Sequence, residues 1–414
     1  MPRGAGARAA TPDVVQEKRL PLKPKGEYFC CIGLRGGHNS LAGVDGLIKS
    51  RKFTIDVQAG RRPECMQGWD GGTEMTDDLK FTVQRPPAYG ELTDVLPGLF
   101  WVRLPVPTAP NHVNCWLLDN GPGWTLVDCG LNTDDTFEIW DKLWRGLLRS
   151  RPLQNLTFTH AHLDHFGLAA YFVKETKCTV RLPLAEWLNA WKMWHEREEG
   201  PDEHFAAFVK RNGASDDEAA QIMGAQRRST FLGLRPPREF IRIRDGDLVA
   251  MGQREWRVIT AGGHSVEHAL FYCESDRILI AGDQVLSHMT PSVITPSAQP
   301  EANPMKEYLD SLARLEALPP DTLVLPSHGL PFRGLHDRLA QLREHHMARL
   351  DDVASVITGK TSAFAMAQEV FPRVLYANPR QAFGESLAHL NMLASIGRLT
   401  RDVGADDAIT FAPV

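Results

Sequence analysis

The stretch Thr159-His160-Ala161-His162-Leu163-Asp164-His165-Phe166-Gly167 puts four potential metal ligands within six residues, directly after an apolar run. Imidazole and carboxylate are the ligand types that borderline cations such as zinc favour. At this spacing His160 and His162 can meet one cation while Asp164 and His165 face a second. A single histidine in a loop is more often a helix cap or a packed side chain. A cluster this dense, with further His and Asp residues downstream, is not accounted for in that way.

Working upstream, the run Leu153–Thr159 reads as a strand that delivers the cluster at its C-terminal end. A rigid strand with a loop that can aim side chains is a good platform for ligands. Before it, Leu99–Val106, His112–Leu118 and Trp124–Cys129 read as strands, the last two joined through Asn120-Gly121-Pro122-Gly123. Between 133 and 148, Phe137, Trp140, Leu143, Trp144 and Leu147 recur at helical spacing and predict a core-facing helix. Cys129, at the end of its strand, reads as packing.

Downstream, residues 183–228 are rich in helix formers and aromatic residues (Trp187, Trp191, Trp194, Phe205, Phe208). They read as an insertion whose aromatics either pack together or line an apolar substrate pocket as a lid. Strands resume at Asp247–Met251, Trp256–Ala261, His268–Cys273 and Arg277–Ala281. A helix over Met305–Leu318 and a buried strand over Thr322–Leu325 follow.

Three more strand-ending segments carry ligand chemistry: Gly262-Gly263-His264-Ser265-Val266-Glu267-His268, Ala281-Gly282-Asp283 and Ser327-His328-Gly329. Each is commonplace alone; in this order, at comparable strand ends, they point together to metal-dependent hydrolysis. Neither a GxSxG nucleophile elbow nor a P-loop competes with that reading.

In this arrangement the chain resembles the metallo-β-lactamase-fold hydrolase superfamily over roughly residues 90–335, through the HxHxDH pattern and the later His, Asp and His. The resemblance implies an α/β fold, the αββα sandwich of two mixed sheets with helices outside and metals at one edge. It implies that His160, His162 and His264 bind a first metal, that Asp164, His165 and His328 bind a second, and that Asp283 bridges them. Many relatives have Gly where Glu267 stands, which leaves the ligand intact and alters what supports it. His268 reads as a supporting or structural histidine. Two divalent cations are therefore expected, zinc from the His-rich set, with iron and manganese left open. A hydroxide bridged by the two metals is the expected nucleophile, with Asp164 also orienting it.

After residue 331 a long helix over Leu335–Ile357, helices near Ser362–Phe371 and Pro379–Ile396, and strands Leu399–Val403 and Ala408–Phe411 look like the small winged-helix domain of one branch, the β-lactamase-like-protein-2 type. That branch includes enzymes resembling glyoxalase II thioesterases and an endoribonuclease. Residues 331–414 carry 9 Lys/Arg against 9 Asp/Glu, a net of zero where an RNA reader is expected to show a basic face, so nucleic acid is not favoured and not excluded. Packing or dimerisation is the expected role, which leaves a homodimer open.

The 414 residues, 43% hydrophobic and 23% charged with a net charge of −5, have the composition of a large soluble globular protein. They give no general electrostatic reason to expect nucleic acid. Seven scattered cysteines (Cys30, Cys31, Cys65, Cys115, Cys129, Cys178, Cys273) form no CxxC pair and suit a reducing cytoplasm. No run is long and apolar enough to span a membrane, and no secretory signal is evident.

Residues 1–74 carry 12 Lys/Arg against 8 Asp/Glu, whereas the rest carries 34 against 43. That first stretch lacks sustained periodicity and reads as a disordered extension, while Met75-Thr76-Asp77-Asp78-Leu79-Lys80 reads like a natural start. Asp13, Glu17 and Glu27 argue against a transit peptide. The expected division is thus extension (1–74), catalytic domain (75–330) and C-terminal domain (331–414). The favoured substrates are a small ester, thioester or lactone; a phosphodiesterase or endoribonuclease is the alternative. A non-catalytic role for the metals is the third. Arg227, Arg228, Arg235 and Arg238 offer an anion site or a solvated surface.

Overall fold

The computed structural model describes residues 79–414, except residues 147, 200–202 and 231–233 and the side chains of 197–199 and 225–230. The expected extension over residues 1–74 lies outside the described residues, as do Leu147 and the side chains of Arg227 and Arg228.

The described chain begins with β1 (Lys80–Phe81), β2 (Leu92–Leu96), β3 (Leu99–Pro105), β4 (His112–Asp119) and β5 (Trp124–Val127). Helix α1 (Asp134–Arg145) starts where Thr133 caps it, its Oγ1 accepting the Thr136 N–H at 3.3 Å. Asp134 and Asp135 sit in its first turn and Lys142 and Arg145 in its last, complementing the helix dipole. Its buried face is Thr136, Trp140 and Leu143. Phe137, expected in that face, is instead 41% exposed and packs edge-on against Tyr171. At ~100° per residue it points about 90° away from the centre of the buried stripe.

Next come β6 (Leu153–Thr157), α2 (Leu163–Phe166), α3 (Ala169–Thr176) and β7 (Thr179–Leu182), then the insertion helices α4 (Leu184–Glu199), α5 (Glu203–Arg211) and α6 (Asp216–Thr230). The chain returns through β8 (Ile241–Arg242), β9 (Leu248–Met251), β10 (Arg254–Ala261), β11 (His268–Cys273) and β12 (Ile278–Gly282). Helix α7 (Pro304–Leu315) leads to β13 (Leu323–Pro326) and β14 (Phe332–Arg333). The C-terminal part holds α8 (Leu335–Val356), α9 (Ala363–Val370), α10 (Pro372–Ala377), α11 (Pro379–Ser395) and the antiparallel hairpin β15 (Leu399–Val403) and β16 (Ile409–Pro413).

The strands form two seven-stranded mixed sheets, β2-β3-β4-β5-β6-β7-β8 and β1-β14-β13-β12-β11-β10-β9. Between them lies an apolar layer with Trp101, Trp116 and Val127 from the first sheet and Trp256, Phe271, Ile280 and Leu325 from the second. Alternate residues of β4 point the other way, so Val113, Cys115 and Leu117 join Trp140 and Phe172 under the outer helices. Burial on both faces explains why β4 reads as a nearly unbroken apolar run. The outer face of the second sheet packs on α7 and α8, and the same core continues to Phe383 and Phe411 of the C-terminal part. The result is the αββα sandwich.

Topology places the functional edge. β5 and β6 are parallel neighbours, as are β12 and β13. β10 is antiparallel to β11, which is antiparallel to β12, so β10 runs in the same sense as β12. The C-terminal ends of β10, β12 and β13 therefore share one edge of their sheet. In open α/β sheets, the carboxyl ends of parallel strands are where ligands gather.

Candidate metal centre

All seven candidate ligands converge there. His160, His162, His264 and Asp283 form one donor set and Asp164, His165 and His328 a second; within each set the donor atoms lie within 4.8 Å of one another. In the first, His162 Nδ1 is 2.8 Å from His160 Nε2 and 3.1 Å from His264 Nε2. In the second, Asp164 Oδ2 is 3.6 Å from His165 Nε2 and 3.5 Å from His328 Nε2. Asp283 faces both sets. Its Oδ2 is 3.3 Å from His264 Nε2, while its Oδ1 is 3.4 Å from His165 Nε2 and 3.3 Å from His328 Nε2.

His165, His264 and His328 are each oriented by a partner on the other nitrogen, as is usual for metal-binding histidines. His264 Nδ1 donates to the Ser292 carbonyl at 2.9 Å and His328 Nδ1 to the His112 carbonyl at 2.6 Å. His165 Nδ1 donates to Asp128 Oδ2 at 2.9 Å, and Asp128 also accepts the Thr159 N–H and hydroxyl. Asn114, fully buried, donates to the carbonyls of Pro326 and Gly329 and ties the His328 loop to the first sheet. His268 belongs to neither donor set. It is buried, stacks on His160 at 4.7 Å, and its Nε2 accepts the Asp283 N–H at 3.1 Å. Gly282 makes this possible: it is left-handed (φ +55°), and a Cβ there would lie 2.3 Å from His268 Cε1. Cys129 is buried, with its thiol on the His165 carbonyl.

The donor set fits cations. Burial and neighbouring imidazoles hold His160 well below the usual histidine range, and His162 is pushed down to about 3 by burial and His264. Both are therefore neutral imidazoles, the form that ligates metal. Around His165, burial favours the neutral ring, but the carboxylates of Asp283, Asp164 and Asp128 outweigh it and hold its pKa up. Two buried atoms facing each other, His165 Nε2 and Asp283 Oδ1, have no hydrogen-bond partner. Orphaned buried groups are rare, and a cation between the two would satisfy both.

Two carboxylates that matter here carry no metal-ligand pattern. Asp128 follows β5, and an acid closing an apolar strand beside a histidine cluster was a usable signal. Glu186, in the first turn of α4, is buried; its Oε2 accepts the Ala161 N–H and its Oε1 the Glu267 N–H, both at 2.9 Å. Nothing in its sequence neighbourhood marks it, because its partners are 25 and 81 residues away.

Beside the ligand loop lies a small apolar pocket lined by Ala161, Leu163 and Phe166 from the loop and α2, Ala190, Met193 and Trp194 from α4, and Leu234 and Pro236. The insertion's aromatics divide. Trp194 lines the pocket, Trp187 stacks on Phe240, and Phe205 and Phe208 join the core shared with the C-terminal part. Arg235 lies over the Trp191 ring at 5.4 Å, and Arg238 is exposed.

Fold and site define a metallo-hydrolase, and the comparisons give the family. Residues 108–328 match the metallo-beta-lactamase superfamily, and residues 350–414 match the metallo-beta-lactamase-like C-terminal domain. The chain belongs to the metallo-beta-lactamase superfamily. A beta-lactamase domain protein from Burkholderia ambifaria has a similar solved structure, with TM-score 0.73 and 35% identity, covering 81% of this chain and 98% of that one. The chain is also 25% identical over 307 residues to the probable metallo-hydrolase YqjP of Bacillus subtilis, spanning 72% of this chain and 93% of the relative. It is 24% identical over 279 residues to the acyl-coenzyme A thioesterase MBLAC2 of Bos taurus, spanning 65% of this chain and 89% of that protein. Among the described residues no helix is long and apolar enough to cross a membrane.

Proposed function

We propose that the protein hydrolyses an activated acyl bond, a thioester first and a small ester or lactone next. The observation that carries this reading is the apolar pocket built directly on the ligand loop, where Ala161 and Leu163 alternate with His160, His162 and Asp164. An apolar acyl group seated there lies beside the donor sets, whereas a phosphodiester offers nothing for Phe166, Met193 and Trp194 to bury. The similarity to a protein named as an acyl-coenzyme A thioesterase supports the same class.

On this reading His160, His162 and His264 hold one divalent cation, Asp164, His165 and His328 hold another, and Asp283 reaches both. Zinc is the expected metal from the His-rich set. Two such cations supply Lewis-acid polarisation of the acyl oxygen and a water acidic enough to attack at neutral pH. The chain does the positioning. Asp164, whose side chain is 25% exposed, is the carboxylate placed to orient that water and accept its proton. Asp128, Ser292 and the His112 carbonyl keep three of the imidazoles aimed.

The test is hydrolysis of matched thioesters, esters, lactones, phosphodiesters and RNA by zinc-loaded protein. Acyl turnover that rises with acyl-chain length supports the proposal. Phosphodiester turnover without acyl hydrolysis overturns it.

A further inference from the structure

We infer that Glu186 and Glu267 form a clasp that sets the geometry of the first donor set, which makes α4 a positioning element as well as a pocket wall. The inference rests on the reading that His160, His162 and His264 hold one cation together with Asp283.

Three hydrogen bonds carry it. Ala161, whose N–H reaches Glu186 Oε2, lies between His160 and His162 on the loop leaving the first sheet. Glu267, whose N–H reaches Glu186 Oε1, lies on the loop that leads from His264 to β11 of the second sheet. The third bond returns the favour: Glu267 Oε2 accepts the Ala185 N–H at the start of α4. One buried carboxylate thus ties together the two loops that carry the three imidazoles, and a second carboxylate pins the helix that carries the first.

A packing role alone does not explain this choice of residue. An acid with no exposure is costly to bury unless both oxygens are satisfied. Here each oxygen is matched to a backbone donor on a different ligand loop. The distances among His160, His162 and His264 are 2.8 and 3.1 Å, so a small drift of either loop spoils the donor set. Glu267 is also adjacent to His268, which stacks on His160. Ala190, Met193 and Trp194, farther along α4, form the pocket wall, so the helix that positions the imidazoles also faces the substrate.

The test is zinc titration of apo-protein against a competing chelator, for wild type, Glu186→Gln, Glu186→Ala and Glu267→Ala, with thermal unfolding of each apo-protein alongside. Glutamine keeps the shape and one acceptor but turns an amide N–H₂ toward a backbone N–H. The clasp predicts that Glu186→Gln weakens one of two zinc sites by about 10- to 100-fold, the range for groups that support ligands from behind. The other site keeps its affinity. Glu186→Ala loses more, Glu267→Ala less, and kcat falls with little change in KM.

A folded Glu186→Gln protein that binds both zinc ions with wild-type affinity overturns the inference, whatever its melting temperature. Should Glu186 variants fail to fold, Glu267→Ala keeps Glu186 in place, and an unchanged zinc affinity there has the same force. Wild-type protein that binds neither zinc, iron nor manganese overturns the reading of the donor sets themselves, which separates the two failures.

Discussion

Asp128 holds His165 from behind. The His165 Nδ1–H donates to Asp128 Oδ2 at 2.9 Å, and both side chains are buried. Asp128 does this from a left-handed backbone (φ 59°), while its other contacts go to Thr159, the residue that opens the ligand loop. Asp and Asn enter that conformation more readily than other non-glycine residues, because their short polar side chains bond to nearby groups.

Asp128→Asn isolates the charge, since asparagine tolerates the left-handed conformation. The carboxylate's loss should cost about 10- to 100-fold in zinc affinity or turnover. Zinc titration and kcat on the purified variant measure it. Unchanged values for both would show that His165 needs no carboxylate behind it.

Trp194 should govern chain length. Trp194→Ala removes much of one pocket wall, so KM for a long apolar acyl substrate should rise roughly 10- to 100-fold, the scale of one or two lost apolar contacts. Turnover of an acetyl substrate should hardly move. Equal losses for both substrates would place the acyl group elsewhere.

Glu385 offers a pH prediction. Burial pushes its carboxyl from 4.5 up to about 7, against the opposing hydrogen bond from Gln381. A raised carboxyl pKa means that the folded state keeps its proton after the unfolded chain has lost it. No penalty exists below about pH 4.5; it grows through the window to pH 7 and is constant above. Its size is on the order of 3 kcal/mol. Glu385→Gln should therefore stabilise the protein at pH 8 relative to wild type, with the gain fading by pH 4.5. Urea unfolding at the two pH values checks this; a gain independent of pH would assign the effect to packing.

The strands were legible because periodicity, turns and ligands coincided, and the sandwich followed from the family resemblance that those ligands carry. Burial on both faces made β4 conspicuous, and each donor closes a strand or follows one. What sequence hid has physical causes. β8 is two residues long and exposed at a sheet edge, so neither alternation nor apolar content marks it. Phe137 fits a helical stripe by spacing yet sits at its rim, because spacing does not fix where the centre of the buried face falls. His160 and Asp283 announce their chemistry by type and neighbours. Glu186 could not, because it acts on backbone amides that only the fold brings near.

We propose that seven side chains hold two cations and that hydrolysis depends on them. The most direct measurement is metal content and thioester turnover on the same samples: wild type, chelator-treated wild type, His162→Ala and Asp164→Ala, each shown to be folded by circular dichroism. Two cations per wild-type chain are expected, with loss of turnover on chelation, recovery on zinc addition, and at least a ~100-fold loss in both variants, beyond what supporting residues cost. Full turnover by metal-free protein, or by a folded His162→Ala variant, would contradict the proposal.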